Sequence, residues 1–252
     1  MDTITSRKNQ IITRLRALGA DRAARDGAGE FLCDGDKLLR EALLWGAEIT
    51  TVLWAAEPTD EVPGAAHYRV PEDLLSYVSP LKTAAGVVFS VRMKAWPRVA
   101  PGRTLVLETI QDPGNLGTIL RTANALNMDS VILTGECADV WNPKTVRASM
   151  GAVFRQRLYQ MERRELREFL AGYGEKLYGA ALSSRAADVR ALDLSHAAVA
   201  IGSEGQGLSR EMLSLCDGEL IIPMNAQCES LNAAVAAAIL MWEMARQGGA
   251  QN

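Results

Sequence analysis

From Thr104 onward, short apolar runs alternate with segments of helical periodicity. The runs are rich in Val, Ile and Leu and have the length of buried strands, and helical spacing of apolar residues follows most of them. Regular alternation of this kind is typical of a parallel sheet, because parallel strands need crossover connections that place helices over both faces. The sequence therefore predicts an α/β domain with a parallel sheet over residues 104–252.

The first part of the chain, residues 1–93, is predicted to form a smaller α/β domain. It has helical spacing in "GDKLLREALLWG" and "PEDLLSYV" and strand-like runs in "ITTVLWA" and "GVVFSVR". Residues 94–103, "KAWPRVAPGR", contain two prolines, a glycine and several basic residues. This composition is typical of an exposed connection, so the segment is predicted to be a linker between the two domains.

The composition argues against several classes of protein. The chain has no uncharged apolar stretch of about 18 residues, so neither a transmembrane helix nor a membrane partner is expected. The N-terminus lacks the apolar core of a signal peptide. The 4 cysteines lie far apart without a Cys-x-x-Cys pair, which suits reduced thiols in the cytoplasm and argues against zinc. Only 2 histidines occur, neither with a partner at metal-ligand spacing, so no metal site or His-based hydrolase is expected.

The distribution of charge is more informative than the formal net charge of −3. Cations are concentrated between Arg7 and Arg25, where Asp21 is the single acidic residue. A second group of arginines, from Arg155 to Arg167, is interrupted by two glutamates. Both groups fit either a solvated helix face or contacts to nucleic-acid phosphates, and charge alone favours the solvated face.

A polar turn follows the predicted strand "TLVLETI". Residues 111–117, "QDPGNLG", are predicted to form this turn, with a helix from Thr118 that places Arg121 in its first turns. A cation is mildly unfavourable near a helix N-terminus, where the helix dipole is positive. Arg121 is therefore either an ordinary solvated charge or a residue held there for an anion.

Two further polar turns follow later predicted strands. Residues 202–207, "GSEGQG", precede a helix that is expected to begin near Ser209, a good N-cap residue. Residues 230–232, "SLN", open the last helix after the strand "GELIIP". Ligands of parallel sheets bind beyond the carboxyl ends of the strands, so the three turns are expected to share one site. The glycine pattern matches neither a dinucleotide fingerprint nor a nucleoside-triphosphate loop, and each turn taken alone also fits a plain helix cap.

The last predicted helix, "SLNAAVAAAILMWEMARQ", is apolar nearly all round. Such a helix must be covered on more than one side. The extra cover is expected to come either from a second subunit or from burial within one monomer, and the sequence leaves both open.

Together, the three turns resemble the motifs of the SpoU (TrmH) family of RNA ribose 2'-O-methyltransferases, within the SPOUT superfamily. The matching segments appear in family order: Asn115 with Arg121, then residues 202–209, then residues 222–224 with residues 230–236. The similarity extends to "NPKTVRASMGAVF" between the first two. The first domain is similar to the substrate-binding domain of members that modify ribosomal RNA and of thiostrepton-resistance enzymes, through "TSRKNQIITRLRAL" and the strand and helix segments that follow it.

The resemblance implies a deep trefoil knot in the second domain, S-adenosylmethionine as cofactor, no metal, and a homodimer through the knotted domain that includes the C-terminal helix. The cofactor-binding positions that match are Gly202, Ile222, Met224 and Leu231. The positions that match catalytic or orienting residues are Arg121, Asn115, Glu204, Ser230 and Asn232. In the first domain, the residues expected to bind RNA phosphates are Arg7, Lys8, Arg14 and Arg16.

The implied reaction is methyl transfer to a ribose 2'-hydroxyl of RNA. Ribosomal RNA is favoured over transfer RNA because of the likeness of the first domain. One alternative is an RNA-binding protein that keeps the fold without catalysis, which the complete set of polar motif residues disfavours. Another is a small-molecule enzyme on an ordinary doubly wound sheet, which would require a coincidence at three separate loops.

Overall fold

The computed structural model describes residues 1–81, 86–97, 102–172, 174–203, 205–225, 227 and 230–248. The chain divides into two compact units, the first made of Met1–Ala95 and Asp139–Arg155 and the second of Trp96–Ala138 and Gln156–Asn252. Residues 98–101 of the predicted linker lie outside the described residues. The domain limits at 93, 94–103 and 104 stay a prediction. Within the described ranges, no helix is long and apolar enough to cross a membrane.

The strands and helices follow the chain in this order. The strands are β1 (Asp2–Thr3), β2 (Glu30–Asp34), β3 (Ile49–Trp54), β4 (Ala66–Arg69), β5 (Val87–Arg92), β6 (Thr104–Glu108), β7 (Ser130–Thr134), β8 (Leu158–Gln160), β9 (Leu177–Ala180), β10 (Ala187–Asp188), β11 (Ala198–Ile201) and β12 (Gly218–Ile221). The helices are α1 (Gln10–Ala20), α2 (Arg22–Ala28), α3 (Asp36–Leu44), α4 (Glu72–Val78), α5 (Pro113–Ala125), α6 (Pro143–Ala148), α7 (Arg163–Ala171), α8 (Arg210–Leu215) and α9 (Ala233–Gln247).

The first unit contains a mixed sheet with the strand order β1-β4-β3-β5-β2. Strand β5 is antiparallel to both of its neighbours, and β1, β4 and β3 are parallel. Helix α1 begins at the N-cap Asn9 and buries Ile12, Leu15 and Leu18 at helical spacing. These side chains pack with Leu74 and other residues of α4 and the sheet in one apolar core.

The segment Asp139–Arg155 belongs to the first unit, although it follows strands of the second. The Arg25 guanidinium donates to the Asp139 carboxylate at 2.6 and 2.9 Å, and both side chains are nearly buried. The ring of Trp141 lies 4.6 Å from that of Phe31 on β2. A buried ion pair and an aromatic contact therefore hold this segment against the first sheet.

The second unit contains an entirely parallel sheet with the strand order β10-β12-β9-β11-β6-β7-β8. This confirms the α/β fold with a large parallel sheet. Its core includes Val106 of β6 and Ala200 of β11, covered by Leu166 of α7 and Met212 of α8. The trefoil knot stays a prediction.

Helix α5 begins earlier than the sequence predicted. Asp112 is its N-cap, accepting a hydrogen bond from the Asn115 backbone N–H at 2.7 Å, and Pro113 opens the first turn. Proline suits this position because its missing N–H would have no partner within the helix. The expectation that Arg121 lies in the first turns is therefore wrong: it lies past the middle of a 13-residue helix.

Helix α9 has one buried and one exposed apolar face. Ala237, Leu240, Met241 and Met244 are buried. On the opposite side, three large side chains form an exposed stripe at helical spacing: Val235 (49% exposed), Ile239 (37%) and Trp242 (62%). The helix is apolar on both faces, as the sequence indicated.

Candidate active site

The three polar turns meet at one edge of the second sheet. They follow β6, β11 and β12, which run parallel to one another, so the carboxyl ends of these strands lie at the same edge. We call residues 109–115 the first loop, residues 202–209 the second loop and residues 222–232 the third loop. In the described residues, side chains of these loops line two cavities with shared walls.

The second loop folds back tightly on the end of β11. The Gly207 backbone N–H donates to the carbonyl of Ser203 at 2.8 Å, and the Gln206 N–H to the Ser203 hydroxyl at 3.3 Å. A Cβ at position 202 would lie 2.0 Å from the carbonyl oxygen of Gly207. Only glycine at position 202 permits this close approach of the backbone.

The larger cavity has a volume of about 580 Å³ and lies between the second and third loops. All four predicted cofactor-binding residues line it: Gly202, Ile222, Met224 and Leu231. Ser230 also lines it, and Leu240 of α9 adds an apolar wall. Volume and lining are typical of a site for a small organic ligand, which combines apolar walls with few polar groups.

Sequence reasoning missed one wall of this cavity. Ser183 and Arg185, in the segment after β9, and Glu219 of β12 also line it. The Ser183 hydroxyl donates to the Glu219 carboxylate, and the Arg185 guanidinium donates to the same group at 2.8 Å. The available signal was "SSR" just after a strand of the parallel sheet, where ligand-binding residues are expected.

The smaller cavity, of about 250 Å³, lies between the first and second loops. Gln111, Asp112 and Asn115 form one side, and Ser203 and Gln206 lie among the residues of the other. Both of these second-loop residues line the larger cavity as well. The two cavities therefore adjoin each other.

Asn115 and Asn232, predicted from separate motifs, are in direct contact. The Asn232 side-chain N–H donates to the Asn115 side-chain carbonyl at 3.1 Å. The side-chain oxygen of Asn232 also accepts from the Ala234 N–H at 3.0 Å and so caps α9. The carboxamide of Asn232 thus links the start of the last helix to the first loop.

One predicted residue, Arg121, does not join this cluster. Arg121 is exposed on α5, and it is absent from the lining of both cavities as the described residues define them. Glu204 lies outside the described residues.

The predicted RNA-binding residues occupy different environments in the first unit. The guanidinium groups of Arg7 and Arg16 lie over the ring of Tyr77, 4.7 and 3.8 Å from its centroid. Arg14 instead donates to the carboxylate of Glu30 at 2.5 Å and to a threonine hydroxyl. Lys8 is exposed. Arg7 and Arg16 are thus held on one aromatic platform, where Arg7 also makes an exposed ion pair with Asp73 at 3.5 Å. Arg14 is paired with a nearly buried carboxylate.

The described cysteines are poor nucleophiles. Burial raises the pKa of the Cys33 and Cys137 thiols. Burial, together with the nearby carboxylates of Asp217 and Glu219, raises the pKa of Cys216 to about 12. These thiols stay protonated at neutral pH, so thiolate catalysis does not fit this part of the chain.

Comparison with known proteins agrees with this geometry. The family model described as SpoU rRNA Methylase matches residues 102–242. The 23S rRNA (guanosine(2553)-2'-O)-methyltransferase RlmP of Bacillus subtilis is 32% identical over 247 residues, which cover 97% of this chain and 99% of that protein.

Solved structures show the same fold. An rRNA methyltransferase from Sinorhizobium meliloti with bound AdoMet superposes with a TM-score of 0.88 at 29% identity, covering 97% of both chains. The SpoU methyltransferase AviRb of Streptomyces viridochromogenes, also in complex with AdoMet, has a TM-score of 0.84 at 29% identity and covers 95% of this chain and 98% of that one.

Proposed function

The chain belongs to the SpoU rRNA methylase family, and we propose that it methylates the ribose 2'-hydroxyl of a nucleotide in ribosomal RNA, with S-adenosylmethionine as methyl donor. One observation carries this proposal: a cavity sized for the cofactor and a smaller polar cavity share a wall at the carboxyl edge of the parallel sheet. A donor and an acceptor can therefore meet there. The names of the relatives favour ribosomal RNA as the substrate.

The larger cavity fits the cofactor by volume and lining. In the proposed function, Gly202 permits close approach of a ligand to the backbone. Ile222 and Leu231 provide apolar walls for the adenine, and Met224 also contacts the cofactor. S-adenosylmethionine, when bound, supplies a methyl group on a cationic sulfonium. The protein's task is then to hold the acceptor oxygen in line with that methyl group.

The smaller cavity is the proposed place of the acceptor ribose. Asn115 lines this cavity and is proposed to orient the sugar, and Asn232 is proposed to hold Asn115 in place through the hydrogen bond between their side chains. Ser230 extends the polar lining from the adjoining cavity. Glu204 is proposed to orient the substrate or the second loop. Proximity and orientation of this kind account for much of the rate enhancement in a transfer between two bound substrates.

Arg121 is proposed to act on RNA outside the cavity walls. Guanidinium groups carry a fixed positive charge in proteins and are poor general bases. A bidentate grip on the phosphate next to the acceptor ribose suits its fork geometry, and its charge stabilises the negative charge that develops on the 2'-oxygen. Its exposed position on α5 leaves it accessible to a polynucleotide.

The test of the proposal is Arg121→Ala. We expect methyl transfer to RNA to be nearly abolished, while the Kd for S-adenosylmethionine changes less than about threefold, because Arg121 does not line the cofactor cavity. Arg164→Ala is the matched control, since Arg164 is an exposed arginine on α7.

Mapping 2'-O-methyl sites in total RNA, with and without the gene, identifies the nucleotide. Full activity of purified Arg121→Ala would refute the role of Arg121, and cofactor binding by a wild-type protein that methylates no RNA would favour the non-catalytic alternative.

Two partner assignments complete the proposal. We infer a homodimer through the second unit, supported by the exposed apolar stripe Val235, Ile239 and Trp242 on α9. We also infer that the first unit grips RNA phosphates through Arg7 and Arg16. A cytoplasmic location stays a prediction from the cysteine pattern.

A further inference from the structure

Glu108 is a buried carboxylate to which the proposed function assigns no role. It is the last residue of β6 and only 2% exposed, and it does not line either cavity as described. A buried carboxylate is costly unless its oxygens are hydrogen-bonded. The hydrogen-bond partners of the Glu108 carboxylate therefore indicate its role in the structure.

Both oxygens of Glu108 bind Ser209. One accepts from the Ser209 backbone N–H at 2.7 Å and the other from the Ser209 hydroxyl at 2.7 Å. The guanidinium of Arg163 on α7 donates a longer hydrogen bond to the Glu108 carboxylate at 3.3 Å and forms an ion pair with it. These two hydrogen bonds fix the position and orientation of Ser209 relative to the end of β6.

Capping of α8 does not explain this arrangement. The Ser209 hydroxyl oxygen accepts from the Met212 N–H at 3.0 Å, so Ser209 caps α8 with its own side chain. The bonds to Glu108 are additional, and they connect residues 101 positions apart in the sequence. They join the end of β6, where the first loop begins, to the end of the second loop.

The Glu108–Ser209 contact lies at the start of the first loop and at the end of the second loop. Glu108 immediately precedes the first loop, whose Thr109 turns sharply with φ of 58°. Ser209 ends the second loop, which is otherwise closed by the bond from Gly207 to Ser203. The smaller cavity lies between these two loops.

We propose that Glu108 is a positioning residue whose hydrogen bonds to Ser209 set the separation of the two loops around the acceptor ribose. This inference rests on the proposed function for the identity of the ligand. The cofactor cavity is affected less, because the third loop and the segment after β9 also form its walls. Loss of the contact therefore lowers turnover more than it weakens cofactor binding.

Glu108→Gln and Glu108→Ala test the proposal, with Thr104→Val as matched control. Thr104 lies on the same strand and makes a buried side-chain hydrogen bond to Ser130 at 2.8 Å, but at the opposite end of β6 from the loops. We expect kcat to fall about tenfold for the glutamine variant, which keeps one acceptor, and about a hundredfold for the alanine variant. The Kd for S-adenosylmethionine should stay within about threefold in both. Thr104→Val should lower Tm without this loss of kcat.

Hydrogen exchange of the loops supplies a readout that does not depend on activity. In Glu108→Ala we expect faster amide exchange in peptides that cover the first loop and the second loop, and in Thr104→Val no such change at these loops. If folded Glu108→Ala showed the kcat and the amide exchange of the wild type, this inference would be overturned and the proposed function would stand. If Thr104→Val lost as much kcat as Glu108→Ala for the same decrease in Tm, the inference would also be overturned. A wild-type protein that methylates no RNA would refute the proposed function, and the exchange measurement would still decide whether Glu108 fixes the loops.

Discussion

Adding one methyl group at Gly202 should disrupt the cofactor cavity. In Gly202→Ala, the new Cβ would lie 2.0 Å from the carbonyl oxygen of Gly207, 2.1 Å from its carbonyl carbon and 2.3 Å from the backbone nitrogen of Leu208. All three are backbone atoms, so no side-chain rotation relieves the clash. The second loop itself must move.

The size of this movement follows from the distances. Separations below 3.0 Å are essentially never seen for real Cβ atoms, so the Gly207 carbonyl must retreat by at least about 1 Å. A displacement of about 1 Å in a binding site costs up to about a hundredfold in function, and overpacking costs about 1–3 kcal/mol of folding stability. For a chain of this size, at about 2–4 °C per kcal/mol, that corresponds to a decrease in Tm of about 2–12 °C.

Calorimetric titration with S-adenosylmethionine and thermal unfolding measure the two effects separately. We expect the Kd to rise about ten- to a hundredfold in Gly202→Ala. Gly27→Ala is the control, because a Cβ at Gly27, on α2 of the first unit, meets no atom within 4 Å. Cofactor affinity within twofold of wild type, with unchanged Tm, would refute the argument that the folded-back second loop forms this wall.

Two further predictions concern partners. Replacing Arg7 and Arg16 with glutamate should weaken RNA binding and reduce the slope of log K against log salt by about one to two. Arg40→Glu, at an exposed arginine outside both basic groups, is the control. An unchanged slope would mean that Arg7 and Arg16 belong to a solvated helix face. Trp242→Glu should convert a dimer to a monomer in sedimentation, because it places a charge in the exposed stripe of α9. Leu44→Glu, at a still more exposed apolar residue of the first unit, should leave the dimer intact. A persistent Trp242→Glu dimer would place the interface elsewhere.

The sequence predicted the periodic elements well because local signals agreed with the tertiary environment. The run Thr104–Glu108 is a fully buried strand, as its central Leu and Val residues indicated, although it also buries the polar side chains of Thr104 and Glu108. Ser209 caps α8, as expected from its residue type. At such positions local preference and burial point to the same structure.

The start of α5 was mispredicted because its two glycines suggested a turn. The structure uses Gly114 in a different way. A Cβ there would lie 3.0 Å from the Asp112 carboxylate oxygen that caps the helix, so glycine leaves room for the cap. Asp112 followed by Pro113 was the stronger signal, since it combines an N-cap residue with proline in the first turn.

The basic N-terminal cluster shows why a charge count does not locate a binding surface. The side chain of Arg25 is 3% exposed and its charge is paired with Asp139, 114 positions away, which no spacing rule reveals. Arg14 is paired with the nearly buried Glu30, whereas the partner of Arg7, Asp73, is exposed. Arg7 and Arg16, stacked on one tyrosine ring, remain partly accessible and are restrained in position, so less conformational entropy is lost when they bind phosphate. The RNA contact inferred for the first unit is therefore centred on this stack, and the buried arginine contributes to folding and not to binding.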